Sequence, residues 1–202
     1  MTKPCELTAT DARKLIGQKK LSSLELVKSC LSQIEKINPI INAIVALDED
    51  DVIKQAKKAD KKTLKGETLD VLHGLPVGIK DLNMVKNLRS TSGSLLNKDY
   101  IPNDDDEIVK NIRNSGGVIL CKTNTPEFGA GGNTTNKVYG TTVNPFDIKK
   151  SVAGSSGGSA AALACNMLIL ANGSDYGGSL RTPSGYCGVA GFRPSPGLVP
   201  SV

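Results

Sequence analysis

Apolar side chains in the first third of the chain recur at helical spacing, which predicts that residues 8–60 are mainly helical. Two residue pairs have the spacing of helix-capping signals: Thr8 with Asp11, and Ser22 with Glu25. The apolar stripe after them is expected to pack on the core until Pro39 interrupts it; it comprises Leu24, Val27, Leu31, Ile34 and Ile41. A second, charged helix is predicted over residues 48–62.

Short apolar runs replace the helical pattern from residue 75 onward. Residues 75–79 alternate in a way that predicts a half-buried strand, and residues 118–122 and 167–170 indicate buried strands. Acidic residues open a predicted helix over residues 104–114, between the first two strands. A helix between two apolar strands is a crossover pattern, so we expect an α/β fold with a mixed sheet covered by helices.

Two glycine turns carry serines that are candidates for a catalytic site. Ser155 and Ser156 precede a glycine pair and an alanine-rich helix, so they lie at a helix entrance, where either could also cap the helix. The second pair, Gly177 and Gly178, stands before Ser179, which could likewise be a capping residue. Bare backbone N–H groups at such a turn resemble an oxyanion hole.

A serine hydroxyl needs a base that removes its proton. The only histidine, His73, lies in a turn-like stretch with no carboxylate placed to orient it, and it stays an alternative. Lys80 follows the alternating run of residues 75–79, which is expected to carry it into the interior. Burial lowers the pKa of a lysine because the ammonium loses hydration. A neutral Lys80 amine is therefore the better candidate base.

Composition narrows the classes of function. The net charge of +5 comes from lysines interleaved with acids, and only 3% of residues are aromatic, so a surface for direct nucleic-acid binding is not expected. Five scattered cysteines without paired motifs indicate reduced thiols rather than a metal site. The N-terminus lacks the pattern of a signal peptide and no apolar run nears the roughly 18 residues of a membrane span, so we expect a cytoplasmic location. The glycine-rich residues 128–133 lack the ending of a P-loop.

Four sequence blocks in order resemble the amidase signature family: GLPVGIKD (74–81), KTNTPEFGAGGNTTN (122–136), AGSSGGSAAALA (153–164) and GSDYGGSLRTPSGYCGVAGFRPS (173–195). The resemblance implies a Ser-Ser-Lys triad with Lys80 as base, Ser155 as relay after a cis peptide, and Ser179 as nucleophile. It implies an oxyanion hole of Tyr176, Gly177 and Gly178, substrate contacts from Gly131 and Gly132, and chemistry without metal or organic cofactor. Asp175 and Arg181 are expected to form an ion pair that steadies the turn.

The resemblance leaves the reaction within the family open. Tyr176 stands where subunits that produce ammonia for tRNA-bound glutamate commonly have threonine. Together with the stretch SLRTPSGYCGVAGFRPSPGLVP (179–200), it resembles the broad-specificity bacterial amidases, which favours action on a small-molecule amide. The glutamine-hydrolysing A subunit of a tRNA-dependent amidotransferase is the alternative.

The chain has 202 residues, whereas enzymes of the amidase signature family are commonly more than twice as long. Residues 1–202 are therefore expected to be the N-terminal portion of an amidase signature domain, with a helical segment over 1–65 and the signature core over 66–202. Such a chain would be a fragment, would pair with another copy or a complementing chain, or would be a non-catalytic remnant.

Overall fold

The computed structural model of the protein describes residues 2–199. Its helices are α1 (Ala9–Gly17), α2 (Ser23–Ile41), α3 (Glu49–Leu64), α4 (Glu107–Asn114), α5 (Gly157–Ala164) and α6 (Arg181–Cys187). Its strands are β1 (Ile44–Ala46), β2 (Pro76–Lys80), β3 (Val118–Thr123), β4 (Thr135–Asn136), β5 (Gly140–Thr141) and β6 (Leu170–Ala171). No helix within residues 2–199 combines the length and apolar character needed to cross a membrane.

The first two helices begin at the predicted caps. Thr8 Oγ1 accepts a hydrogen bond from Asp11 N at 3.1 Å, and Ser22 Oγ accepts one from Glu25 N at 3.0 Å. The prediction that Pro39 interrupts the second helix is wrong, because α2 continues to Ile41. Pro39 lies in the last turn, where the missing N–H removes one bond at most. Asn42 N donates to Asn38 O at 2.8 Å and ends the helix in a left-handed conformation.

Four strands form a sheet in the order β1-β3-β2-β6. Strand β2 is parallel to both of its neighbours, β3 and β6, while β1 is antiparallel to β3. Helix α4 connects β2 to β3, as the crossover pattern predicted, and helices α2 and α5 contact β2. The expected mixed α/β architecture is confirmed.

Strand β2 is buried along its whole length, so the prediction of a half-buried strand is wrong. A parallel strand between two others, with helices on its faces, has no side that meets water. Apolar side chains therefore alternate between two clusters: Val118 and Leu120 belong to the large one, and Ile119 joins Val77 and Ile79 in the small one. The buried end of β2 is where Lys80 lies.

The strand after α5 is displaced from its predicted position. Residues 167–170 were expected to form it, whereas β6 consists of Leu170 and Ala171. Met167 and Leu168 are buried, but they belong to the turn that reverses the chain, in which Met167 N donates to Ala162 O at 2.9 Å. The apolar run correctly indicates that these residues are buried, but the conformation of the turn determines the residue at which pairing with β2 begins.

Candidate active site

Lys80 is the last residue of β2, and its side chain is fully buried. Its Nζ lies 2.7 Å from Ser155 Oγ, 2.9 Å from Ser156 Oγ and 2.8 Å from Ser174 Oγ. Its backbone N donates to Asn172 Oδ1 at 2.6 Å, which holds the end of the strand against the segment after β6. The amine is thus surrounded by three hydroxyl groups.

The surroundings of Lys80 disfavour its charged form. Burial lowers the pKa of Lys80 to about 7 because the ammonium loses hydration, while the charge of Asp175 acts in the opposite direction. Within residues 2–199, no carboxylate forms an ion pair with this amine. About half of the molecules would carry a neutral amine near neutral pH, which is the state that accepts a proton.

Ser155 is buried at the end of a tightly packed glycine turn. The peptide bond between Gly154 and Ser155 is cis, as the resemblance implied. A Cβ on Gly154 would lie 3.0 Å from Gly131 O and from the backbone of Asn133, so the loop of residues 131–133 packs directly against this turn. Gly131 and Gly132 are exposed beside Ser155, and their role as substrate contacts stays a prediction.

Ser156 occupies the N-cap position of α5, yet its side chain makes no capping hydrogen bond. Its hydroxyl turns to Lys80 instead, and it also donates to Ser174 O and accepts from Ser174 N, both at 3.2 Å. Its backbone N donates to Ser179 O at 2.9 Å. The capping role considered for Ser156 is therefore wrong. The residue instead connects Lys80, Ser174 and Ser179, which together with Ser155 and Ser156 form the serine cluster.

Ser179 is brought beside the other two serines through its backbone. Because Ser156 directly follows Ser155 in the sequence, the hydrogen bond from Ser156 N to Ser179 O holds the Ser179 backbone close to Ser155. Across residues 2–199, no hydrogen bond joins the Ser179 hydroxyl to Ser155 or to any other side chain. The structure thus joins Lys80 to Ser155 directly, and it places Ser179 in the same cluster without a hydroxyl-to-hydroxyl bond.

Asp175 organises the turn that carries Ser179. Its carboxylate accepts hydrogen bonds from Gly178 N at 2.8 Å, Arg181 N at 3.1 Å and Arg181 Nε at 2.9 Å. The hydrogen bond from Arg181 is the main reason that the pKa of Asp175 lies well below its usual range. The expected structural ion pair is present, and it is nearly buried on the Asp175 side.

This arrangement changes the candidate oxyanion hole. Gly178 was predicted to donate its N–H to an oxyanion, but Asp175 already accepts that hydrogen. In the part of the chain that the structure describes, no acceptor binds the N–H groups of Tyr176, Gly177 and Ser179. Gly177 borders open space and the Tyr176 side chain is fully exposed. Among these residues, Tyr176, Gly177 and Ser179 therefore keep N–H groups that could face an oxyanion, and the oxyanion hole itself stays a prediction.

A second buried lysine was missed by sequence reasoning. Lys122 follows an apolar run near the end of β3, much as Lys80 follows one at the end of β2, and this was the available signal. Lys122 Nζ lies 2.9 Å from Asp81 Oδ1 and donates to Ser90 Oγ at 2.7 Å. Burial lowers the pKa of Lys122, while the charge of Asp81 raises it. Because Lys122 has a buried carboxylate partner and Lys80 has none among residues 2–199, Lys80 is the better candidate for the base, and that role stays a prediction.

His73 does not join the serine cluster. Its imidazole is buried, with Nε2 2.9 Å from Thr63 Oγ1, and that hydroxyl donates to Ala59 O at 3.2 Å. Burial is the main reason that the pKa of His73 is lowered. Its contacts are those of a packing residue between α3 and the turn before β2. Among residues 2–199, no group of three or more histidine, cysteine or acidic side chains is arranged to hold a metal ion.

The chain belongs to the amidase family, because the sequence model of that family, Amidase, matches residues 25–202. Among curated proteins, it is 40% identical over 193 residues to the A subunit of the glutamyl-tRNA(Gln) amidotransferase of Thermoanaerobacter pseudethanolicus. That alignment covers 96% of this chain and 39% of the relative. The chain therefore spans about two fifths of the length of the curated relatives it matches.

Solved structures of the same family share the fold. A bacterial aryl acylamidase of the amidase signature family matches with a TM-score of 0.83 and 31% identity, covering 88% of this chain and 37% of that one. The native peptide amidase of Stenotrophomonas maltophilia matches with a TM-score of 0.83 and 30% identity, covering 89% of this chain and 38% of that one. The family that the sequence blocks indicated is confirmed.

Proposed function

We propose that this chain carries the catalytic residues for hydrolysis of a carboxylic amide through an acyl-enzyme. The observation that carries the proposal is the buried Lys80 amine, which lies 2.7 Å from Ser155 Oγ and has no carboxylate partner among residues 2–199. With its pKa lowered to about 7, this amine is suited to accept and return a proton near neutral pH.

The reaction proceeds in two balanced halves. The Ser179 proton passes through Ser155 to Lys80, and Ser179 Oγ forms a bond to the carbonyl carbon. The backbone N–H groups of Tyr176, Gly177 and Ser179 bind the resulting oxyanion. The C–N bond then breaks as Lys80 returns the proton through Ser155 to the leaving amine. Water repeats the sequence, so the C–O bond to Ser179 breaks and the acid leaves.

A fluorophosphonate probe tests the proposed nucleophile, because it reacts with an activated serine. Mass spectrometry of the labelled 202-residue chain is expected to locate the probe on Ser179, and Ser179→Ala is expected to remove it. Ser32→Ala, which changes an exposed serine on α2, serves as the matched control and should leave labelling unchanged. Absence of probe on Ser179 in the wild-type chain would contradict the proposal.

Glutamine is the second candidate substrate, with transfer of ammonia to a partner. The curated relatives cited above are glutamyl-tRNA(Gln) amidotransferase A subunits, which supports it, whereas the solved relatives are amidases of other kinds. Tyr176, which is one of the residues on which the broad-specificity assignment depends, is fully exposed at the turn. Glutamine-dependent ammonia release that increases when the other polypeptides of such an amidotransferase are added would favour the amidotransferase. Hydrolysis of simple amides alone would favour the amidase.

Association with another polypeptide is the third element of the proposal. Strand β6 pairs on one side with β2 and lies at the edge of the four-stranded sheet. Aromatic side chains near α6 are exposed, including Phe146 at 75% and Phe192 at 81%. Such a surface suits an interface with another copy or with a chain carrying more of the amidase fold. Light scattering after size-exclusion chromatography should show a species larger than the 21.2 kDa chain, and a strict monomer would contradict self-association.

A non-catalytic remnant is the remaining alternative. The intact contact of Lys80 with Ser155 and the ordered turn around Asp175 support a catalytic chain instead. Burying an amine that has no ion-pair partner among residues 2–199 lowers stability, and a chemical role for the amine accounts for that cost. The probe experiment separates the two, because a remnant would leave Ser179 unlabelled.

A further inference from the structure

Ser156 is absent from the proposed triad, yet its contacts are more extensive than those of Ser155. Its hydroxyl lies 2.9 Å from Lys80 Nζ, and its backbone N donates to Ser179 O. It stands at the start of α5, where a serine side chain ordinarily caps the helix, and here it makes no cap. The capping interaction has thus been replaced by a contact with the buried amine.

The hydrogen atoms around Lys80 can be assigned one by one. A neutral amine has two N–H groups and one lone pair, and three hydroxyl oxygens surround it. The Ser156 hydroxyl donates its hydrogen to Ser174 O at 3.2 Å, so it meets Lys80 only as an acceptor. Ser156 therefore takes one of the two N–H groups.

The other two hydroxyls differ in what else they can reach. Ser174 is exposed and lines an open cavity of about 630 Å³, so water can accept its hydrogen while its oxygen accepts from Lys80. Ser155 is buried, and within residues 2–199 its hydroxyl has no partner other than Lys80. All three hydroxyls are satisfied when Lys80 donates one N–H to Ser156 and the other to Ser174. The lone pair of Lys80 then faces Ser155 and accepts the hydrogen of its hydroxyl.

We propose that Ser156 is a positioning residue, which orients the lone pair of Lys80 toward Ser155 and holds the backbone of Ser179 beside it. This inference rests on the proposed function for its effect on rate, but the contact itself is independent of that function. Ser156 acts through Lys80 and Ser179, and it touches neither the substrate carbonyl nor the leaving group in the steps above.

Removing the Ser156 hydroxyl is expected to lower the pKa of Lys80. An ammonium donates stronger hydrogen bonds than an amine, so an acceptor beside Lys80 favours the charged form. Ser156→Ala is therefore expected to shift the titration midpoint of Lys80 about one pH unit lower. It is also expected to slow labelling of Ser179 by about 10-fold, since the lone pair loses its fixed direction.

Two measurements on the 202-residue chain test the inference. Lysine labelled with ¹³C at the ε carbon reports the titration of Lys80, whose signal is assigned by its loss in Lys80→Met. Ser156→Ala should lower the midpoint and Ser156→Thr, which keeps a hydroxyl, should restore it. An unchanged midpoint in Ser156→Ala would overturn the inference. Ser23→Ala is the matched control, because Ser23 is buried and its hydroxyl has no hydrogen-bond partner among residues 2–199.

The labelling rate separates this inference from the proposed function. A wild-type chain without probe on Ser179 contradicts the proposed function, and the titration midpoint still decides the role of Ser156. A wild-type chain that is labelled, with equal rates in Ser156→Ala, contradicts the positioning role. Slower labelling that recovers in Ser156→Thr, together with the lower midpoint, supports it, because a merely structural defect would admit water to Lys80 and raise the midpoint instead.

Discussion

Replacing Lys80 with methionine should remove a large part of the pH dependence of stability. The pKa of Lys80 is lowered from 10.5 to about 7 in the folded chain, and the unfolded chain is expected to keep the ordinary value. At pH 7 the unfolded state therefore binds nearly one proton at this site and the folded state about half of one. Since the unfolded state binds more protons between these two pKa values, stability rises as pH increases from about 7 toward 10.5.

The size of the effect follows from the same two values. Burial of Lys80 costs about 4 kcal/mol of stability at pH 7 and about 1.5 kcal/mol at pH 9.5. Over that interval the unfolding free energy of the wild-type chain should rise about 3 kcal/mol more than that of Lys80→Met. Taking the difference between two pH values cancels the pH-independent changes, such as the hydrogen bonds that the neighbouring serines lose.

Urea denaturation at about pH 7 and about pH 9.5, followed by circular dichroism, measures this difference. Lys65→Met is the matched control, because the Lys65 side chain is 72% exposed and lies outside the cluster. It should follow the wild-type chain at both pH values. Parallel pH dependence in the wild-type chain and in Lys80→Met would refute the reasoning, and with it the neutral amine on which the proposed mechanism depends.

Two further predictions concern stability. Lys122→Met should destabilise the chain by about 3–5 kcal/mol in urea denaturation near neutral pH, because it leaves the buried carboxylate of Asp81 unpaired. The double variant Lys122→Met/Asp81→Asn should recover part of that loss, and equal stability of the two variants would contradict the explanation. Gly158→Ala should lower the thermal midpoint strongly, since its Cβ would overlap the backbone of Asn124 and lie 2.8 Å from Ala43 O. Gly185→Ala, with open space at its Cβ, is the control and should not lower it.

Sequence patterns predicted the local parts of this protein well. Capping pairs at Thr8 and Ser22, the crossover helix before β3 and the end of β2 at Lys80 all follow from neighbouring residues. The resemblance added the family, which the comparisons confirm, and it selected Lys80 and Ser155 as partners across 75 positions of the chain. Periodicity alone contains no information about such a distant pair, because each run of residues reports only its own conformation and burial.

Only the tertiary structure decided which polar groups meet inside. Ser156 was a reasonable helix cap by its position, but a buried amine competes for its hydroxyl. Gly178 was a reasonable oxyanion donor, but the carboxylate of Asp175 folds back to accept its hydrogen. Lys122 and Lys80 both follow apolar runs near the ends of strands, but Lys122 forms an ion pair with Asp81 and Lys80 does not. The sequence by itself determined the family, the elements and the candidate residues; hydrogen bonding and charge compensation depend on distances between elements, so the packing of the folded chain decided their roles.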